Sequence, residues 1–134
     1  MLKPRSAYVA DFLGVNLFRG RIEKDASGAA RLVTADGAVA LADDAEEGEA
    51  FATVSPREIG LALEPPAGSA RNVFRGEVVE IAPEPPHGER VRVALGTRPP
   101  LVAEVTREAV RALALAPGQR VYASFKASGV VTYR

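Results

Sequence analysis

Alternation of apolar and polar residues along the chain predicts a protein built from short β-strands. Residues 90–95 alternate strictly, which is typical of a strand with one buried face. The second half has four further runs of β character, at 72–81, 101–105, 120–126 and 130–133. Between its third and fourth strands we expect one short helix, because Thr106 is a suitable N-cap and Pro117-Gly118 would end the pattern. This order predicts a small five-stranded antiparallel barrel.

An internal repeat predicts a second barrel in the first half of the chain. The segment Asn16-Leu17-Phe18-Arg19-Gly20 recurs as Asn72-Val73-Phe74-Arg75-Gly76, and Phe51-Ala52-Thr53-Val54 has an echo in Tyr122-Ala123-Ser124-Phe125. Two matches in the same order indicate a duplication. The first copy is shorter, with inner strands expected at 29–34 and 38–41 and a reduced or absent helix. We therefore predict an all-β fold of two tandem five-stranded OB-like antiparallel barrels, over residues 5–64 and 67–134, with one short helix in the second.

The composition indicates a soluble globular protein. The chain has 134 residues, of which 47% are hydrophobic and 25% charged. No stretch approaches the roughly 18 to 20 apolar residues needed to span a bilayer. The absence of cysteine excludes disulfides, thiolate catalysis and cysteine-based zinc sites, and it fits a cytoplasmic protein.

The charge is balanced overall but unevenly distributed. Residues 1–66 carry 7 Lys/Arg and 11 Asp/Glu, whereas residues 67–134 carry 10 and 6. The acidic run at 43–49 accounts for much of the negative charge and is interpreted as a solvated loop. A locally positive second half would attract a small anion, but its excess is too small to indicate nucleic acid.

Two short motifs supply the groups that a small oxyanion requires. They are Ser69-Ala70-Arg71-Asn72 and Lys126-Ala127-Ser128, both in the positive half. Two fixed cations would offset a dianion, while hydroxyl, amide and backbone N–H donors would surround its oxygens. The sequence therefore predicts an oxyanion site in the second half.

These segments resemble the molybdate-binding Mop domain, the same unit as the transport-associated OB (TOBE) domain. The resemblance covers nearly all of residues 67–134, through the two motifs above, Arg75-Gly76, the run 102–107 and Pro117-Gly118-Gln119. The first half, through 9–20 and 54–59, resembles the other barrel at the C-terminus of the ATPase subunits of ABC-type molybdate or tungstate importers.

The resemblance implies a ligand, a set of binding residues and a setting. The ligand would be molybdate or tungstate, with no cofactor and no metal cation. Four oxygens accept about eight hydrogen bonds, so a site between barrels or subunits, and hence a homo-oligomer, is expected. The setting would be cytoplasmic, or peripheral at the inner face of the membrane where an ATPase domain and a membrane permease are partners. The implied binding residues are Ser69, Arg71, Asn72, Thr106, Lys126 and Ser128.

The first copy departs from this pattern. Leu13 and Val15 stand where the second copy has Ser69 and Arg71, and Ser55 stands near the counterpart of Lys126, although Arg57 is close. We therefore expect an incomplete set of anion ligands there. The first barrel would be structural, or its Asn16 would complete a site made by the other barrel.

No enzymatic activity is expected. The chain has no G-x-x-x-x-G-K-[ST] phosphate loop, so it would be either a C-terminal part of an importer ATPase or a free-standing molybdate-binding protein. Its single histidine, His87, has no catalytic partner in sequence and is interpreted as a loop residue. Two other hypotheses stay open: a regulatory and dimerisation module that binds no anion, and an OB-type binder of single-stranded nucleic acid, which would need exposed aromatics and a basic groove.

Overall fold

The computed structural model describes residues 14–42, 45–68, 71–83 and 89–134, without the side chain of Arg71. Its strands fall into two halves with the same order, each ending in a short 3₁₀ turn and a last strand. The first half contains β1 (Asn16–Lys24), β2 (Ala30–Val33), β3 (Ala38–Ala40), β4 (Gly48–Val54), a 3₁₀ turn (Pro56–Glu58) and β5 (Gly60–Ala62). The second contains β6 (Arg71–Pro83), β7 (Arg90–Leu95), β8 (Leu101–Thr106), α1 (Arg107–Ala112), β9 (Arg120–Lys126), a 3₁₀ turn (Ala127–Gly129) and β10 (Val131–Tyr133).

These strands form two five-stranded antiparallel sheets. One has the order β10-β4-β1-β2-β3 and the other β5-β9-β6-β7-β8. With α1 between the third and fourth strands of the second half, the predicted fold class is confirmed. Thr106 caps α1 as predicted, its Oγ1 accepting a hydrogen bond from the Ala109 N–H at 3.1 Å. In the described ranges, no helix is long or apolar enough to cross a membrane.

The two sheets exchange their outermost short strands. The last strand of the first half, β5, pairs with β9 of the second, and β10 at the end of the second half pairs with β4 of the first. The chain therefore crosses between the sheets twice, once through each 3₁₀ turn. The division into residues 5–64 and 67–134 stays a prediction, and residues 5–13 of the first predicted domain lie outside the described part.

Alternate residues of the strands build a continuous apolar core. Ile22, Leu32, Val93 and Val121 are each at most 1% exposed and come from both halves. Fully burying a side chain of this size contributes about 1.5–3 kcal/mol relative to leaving it in water. The helix α1 and the residue after it pack on this core through Val110 and Leu113, which are partly buried against it.

The repeated asparagines, Asn16 and Asn72, join the two halves. The Asn16 amide donates to the Val102 carbonyl at 2.9 Å and accepts from the Val102 N–H at 2.7 Å. In the same way, Asn72 donates to the carbonyl of Ala40 at 3.1 Å and accepts from its N–H at 2.7 Å. Each asparagine thus satisfies both polar groups of one residue on the third strand of the other half. Both asparagines are needed because a buried peptide group left without a hydrogen-bond partner costs about 1–3 kcal/mol of stability.

The repeated glycines, Gly20 and Gly76, lie at close backbone approaches. A Cβ atom on Gly76 would lie 2.9 Å from the Gly96 carbonyl oxygen, and one on Gly20 would clash with the carbonyl oxygen of Val33. Both positions therefore require the smallest residue. The recurrence of the same restriction supports the duplication.

Candidate oxyanion site

Strand register brings two of the predicted ligands to neighbouring positions. Arg71, the first residue of β6, is the antiparallel partner of Lys126, the last residue of β9. Directly opposite residues on such strands have Cβ atoms about 4.5–5.5 Å apart. Ser128 follows two residues later in the 3₁₀ turn and is exposed. Ser69 lies outside the described residues.

The side chain of Lys126 is exposed at the end of β9. Among the described residues its side chain has neither a hydrogen bond nor an ion pair, so its charge is available to a ligand. The turn that follows, Ala127–Gly129, begins without a side-chain cap. In the matching turn of the first half, Ser55 Oγ accepts from the N–H of Arg57 at 3.3 Å. The corresponding N–H, that of Ser128, therefore has no side-chain acceptor within the described part of the chain.

Asn72 lies beside Lys126 but has a structural role already. The residue is 5% exposed, and both polar atoms of its side chain are hydrogen-bonded to Ala40. Without rearrangement, its amide would hold the start of β6 in place and would not donate to an anion. Sequence reasoning identified the residue and missed this partner, because Ala40 lies in the other half of the chain.

Thr106 is positioned differently from the other predicted ligands. It ends β8, and β8 packs against the 3₁₀ turn Pro56–Glu58 of the first half. Its hydroxyl oxygen already accepts the α1 capping bond. In the sheet, β6 and β7 separate β8 from β9. Thr106 pairs with Arg90, which lies next to the end of β6, whereas Arg71 and Lys126 pair at its start.

A buried carboxylate that sequence reasoning missed lies beside that turn. Oε2 of Glu104, on β8, accepts from Nε of Arg57 at 2.5 Å and from Nε of Arg90 at 3.2 Å. The Glu104 side chain is 7% exposed, against 67% for Arg57 and 34% for Arg90. The sequence predicted a strand at 101–105 without a role for Glu104, and the packing of the first-half turn against β8 contributes to its burial.

A second carboxylate approaches the Ala127–Gly129 turn. A Cβ atom on Gly129 would lie 3.4 Å from Oε2 of Glu58, at the end of the first-half turn. The two 3₁₀ turns are therefore neighbours, and Glu58 contributes negative charge near Lys126 and Ser128. No group of three or more His, Cys, Asp or Glu residues that could hold a metal ion occurs in the residues described.

The same segment of the chain matches a known domain family. The family model of the TOBE domain covers residues 68–131. That segment is a TOBE domain. It contains every residue of the predicted ligand set, and the part of it that is described runs from the start of β6 to the beginning of β10.

Relatives extend the similarity of the TOBE domain into the first half. The chain is 36% identical to the molybdenum import ATP-binding protein ModC of Mycobacterium tuberculosis, over 97% of this chain and 36% of that protein. It is 36% identical to the molybdate/tungstate import ATP-binding protein WtpC of Pyrococcus abyssi, over 93% of this chain and 34% of that protein. The chain thus spans about a third of the length of these curated relatives.

A solved structure shares the two-sheet arrangement. It is a crystal structure of the cytoplasmic molybdate-binding protein ModG with molybdate bound. The TM-score is 0.70 and the sequence identity 26%, and the match covers 87% of this chain and 94% of that one. The TOBE domain and the half that precedes it therefore share their fold with nearly the whole of that protein.

Proposed function

We propose that this chain binds molybdate or tungstate where β6 begins and β9 ends. The observation that carries the proposal is the register pair of Arg71 and Lys126, two cationic residues from adjacent strands at one end of a sheet. A dianion there would meet two positive charges, with the Ser128 hydroxyl and N–H nearby. Charge-assisted hydrogen bonds of this kind are about twice as strong as neutral ones. Ser69, two residues before Arg71, would add a further hydroxyl.

Similarity to proteins named for molybdate supports the choice of anion. The ModG structure has molybdate bound, and the ModC and WtpC relatives are named for molybdenum and for molybdate/tungstate import. Molybdate and tungstate carry the same charge and tetrahedral shape, so the proposed donors suit both. We propose a binding module rather than a catalyst.

We further propose that the complete site forms between copies of the chain. One end of one sheet offers fewer donors than the roughly eight acceptor positions of a tetrahedral oxyanion, and Thr106 lies on β8, which β6 and β7 separate from β9 in the sheet. A second copy would supply Thr106. An apolar groove of about 510 Å³, lined partly by Leu17, Val79 and Pro100, also exposes surface of the kind that oligomers cover.

The wider setting follows from the import relatives. In a longer protein of that type, this chain would regulate or sense import next to an ATPase domain and a membrane permease, in the cytoplasm or at the inner face of the membrane. As a free-standing protein it would bind the anion in the cytoplasm. In both settings the ligand is a small oxyanion and no nucleic acid is involved.

Isothermal titration of the purified chain with molybdate and tungstate tests this proposal, with sulfate and phosphate as competing tetrahedral anions. We expect saturable heat for the first two and a mass increase by light scattering if copies assemble around the anion. Arg120→Ala is the matched control for Lys126→Ala, because it removes one exposed cation from the other end of the same strand. Equal affinity in both variants would remove Lys126 from the site.

One observation favours a second candidate, a regulatory or dimerisation module that binds no anion. Both Asn72 and Thr106 already use their side chains within the fold. This alternative predicts no heat and no thermal stabilisation with molybdate in the wild-type chain.

A further inference from the structure

We propose that the chain carries a second anion position, related to the first by the internal repeat, and that its own Glu104 carboxylate occupies this position. The inference rests on the proposed function for the identity of the first site, and it extends that function by setting the number of external anions at one per chain. Four steps support it.

Strand register defines the counterpart of each proposed ligand. Asn16 pairs with Val54, and Asn72 pairs with Phe125. The residues just outside these pairs correspond in the same way, so Val15 matches Arg71 and Ser55 matches Lys126. The three-residue 3₁₀ turns of the two halves begin directly after Ser55 and Lys126. Their second residues, Arg57 and Ser128, therefore correspond.

The asparagine bridges extend the alignment of the two halves to their third strands, β3 and β8. Asn72 binds both peptide groups of Ala40, and Asn16 binds both peptide groups of Val102. Counting two residues on from Ala40 and from Val102 gives Ala42 as the counterpart of Glu104. The same place on the scaffold therefore holds an exposed methyl group in one half and a buried carboxylate in the other.

Glu104 has the partners that an external oxyanion would need. Its Oε2 accepts from Arg57 on the crossing turn and from Arg90 on the neighbouring strand, while Nη2 of Arg90 donates to its main-chain carbonyl at 3.2 Å. A carboxylate buried to this degree needs such cations to offset its desolvation. Two arginines therefore face an anion here that is covalently part of the chain, whereas the other half would bind an external one.

Truncating the side chain would expose this position. In Glu104→Ala, Arg57 and Arg90 lose their carboxylate partner and surround a space of carboxylate size. A small oxyanion or carboxylate that enters it stabilises the folded state by mass action. We expect Glu104→Ala to melt below the parent and to recover with acetate, sulfate or molybdate, by about 2–6 °C for a chain of this size.

The experiment uses the Lys126→Ala background, in which the first proposed site is disabled. Melting temperature is measured against each anion, with chloride at the same ionic strength as the reference. Recovery by the oxyanions in Glu104→Ala, absent in the parent and abolished by adding Arg57→Ala, supports the proposal. If Glu104→Ala is unfolded in chloride, the folded fraction is followed instead, and the same anions are expected to restore it.

Three results would overturn the proposal: equal recovery by chloride, recovery that survives Arg57→Ala, and no recovery at any anion concentration. Glu104→Gln serves as the size control, because its amide fills the space and should permit little recovery. Failure of the proposed function is seen separately, as the lack of a molybdate response in the wild-type chain, and it leaves the outcome in the Lys126→Ala background unchanged.

Discussion

The two halves of this molecule share one scaffold and differ in the residues at the ends of its strands. Both have the same strand order, the same asparagine bridge to the opposite third strand and the same 3₁₀ crossing turn. They differ at the ends of the strands, where Arg71 and Lys126 in one half correspond to Val15 and Ser55 in the other. The comparison shows that backbone-supporting residues repeat while the residues proposed to bind an anion diverge. Substitutions at matched positions can therefore separate support from binding.

The largest expected effect is on stability, through the asparagine bridges that both halves share. Asn16→Ala leaves both peptide groups of Val102 without their side-chain partner, so the free energy of unfolding should fall by about 2–4 kcal/mol. Asn72→Ala should lower the free energy of unfolding within the same range but by slightly less, because Asn16 also donates to the carbonyl of Val54 at 3.3 Å. Urea denaturation measures both. A change below about 0.5 kcal/mol, typical of neutral surface substitutions, in either variant would contradict the idea that both asparagines join the halves.

The next largest effect, a loss of molybdate affinity, should follow substitution in the second half only. Lys126→Ala removes a charge-assisted interaction of about 1.5–3 kcal/mol, so molybdate affinity should fall about 10- to 100-fold. Arg57→Ala, on the matching turn, should leave that affinity within about threefold, since Arg57 is paired with Glu104. Titration calorimetry on both variants makes the comparison. Similar losses in the two variants would mean that the halves contribute equally to binding.

A sharper test gives the first half the carboxylate that the second half has at the matching position. Ala42→Glu places a carboxylate at the position that matches Glu104, close to Arg71 and Lys126 if the repeat holds. The new carboxylate should compete with the anion and weaken molybdate binding by about tenfold, which is ~1.4 kcal/mol. Since Ala42 is exposed, stability should change little. Ala42→Gln is the uncharged control, and a loss of the same size in this variant would show that bulk, and not charge, is responsible.

The smallest expected effect concerns the contact between the two turns. Glu58 brings a carboxylate close to Gly129, beside the proposed site. Glu58→Gln should tighten molybdate binding by about two- to fivefold, as expected for a surface charge interaction of about 0.2–1 kcal/mol. The gain should shrink in high salt because screening weakens such interactions. Glu64→Gln, at an exposed position beyond β5, is the matched control and should leave the affinity unchanged.

Much of the fold could be predicted because it depends on local patterns. Alternation predicted the strands of the second half, the Thr106 cap predicted α1, and the recurrence around Asn16 and Asn72 predicted the duplication. The candidate site could be predicted only in part. Lys126 and Arg71 were proposed from short motifs, but Glu104 was not, because its partner Arg57 is distant in sequence and the pattern of a strand does not reveal which turn covers it.

The sequence by itself determined the all-β class, the repeat and a set of candidate anion ligands, since these depend on side-chain chemistry and on spacing within a strand. Tertiary structure alone decided which strands share a sheet. Main-chain hydrogen bonds carry no record of which half supplies a strand, so the exchange of β5 and β10 is invisible in the sequence. The same long-range packing decided that Asn72 supports Ala40 and that the buried Glu104 side chain faces two arginines.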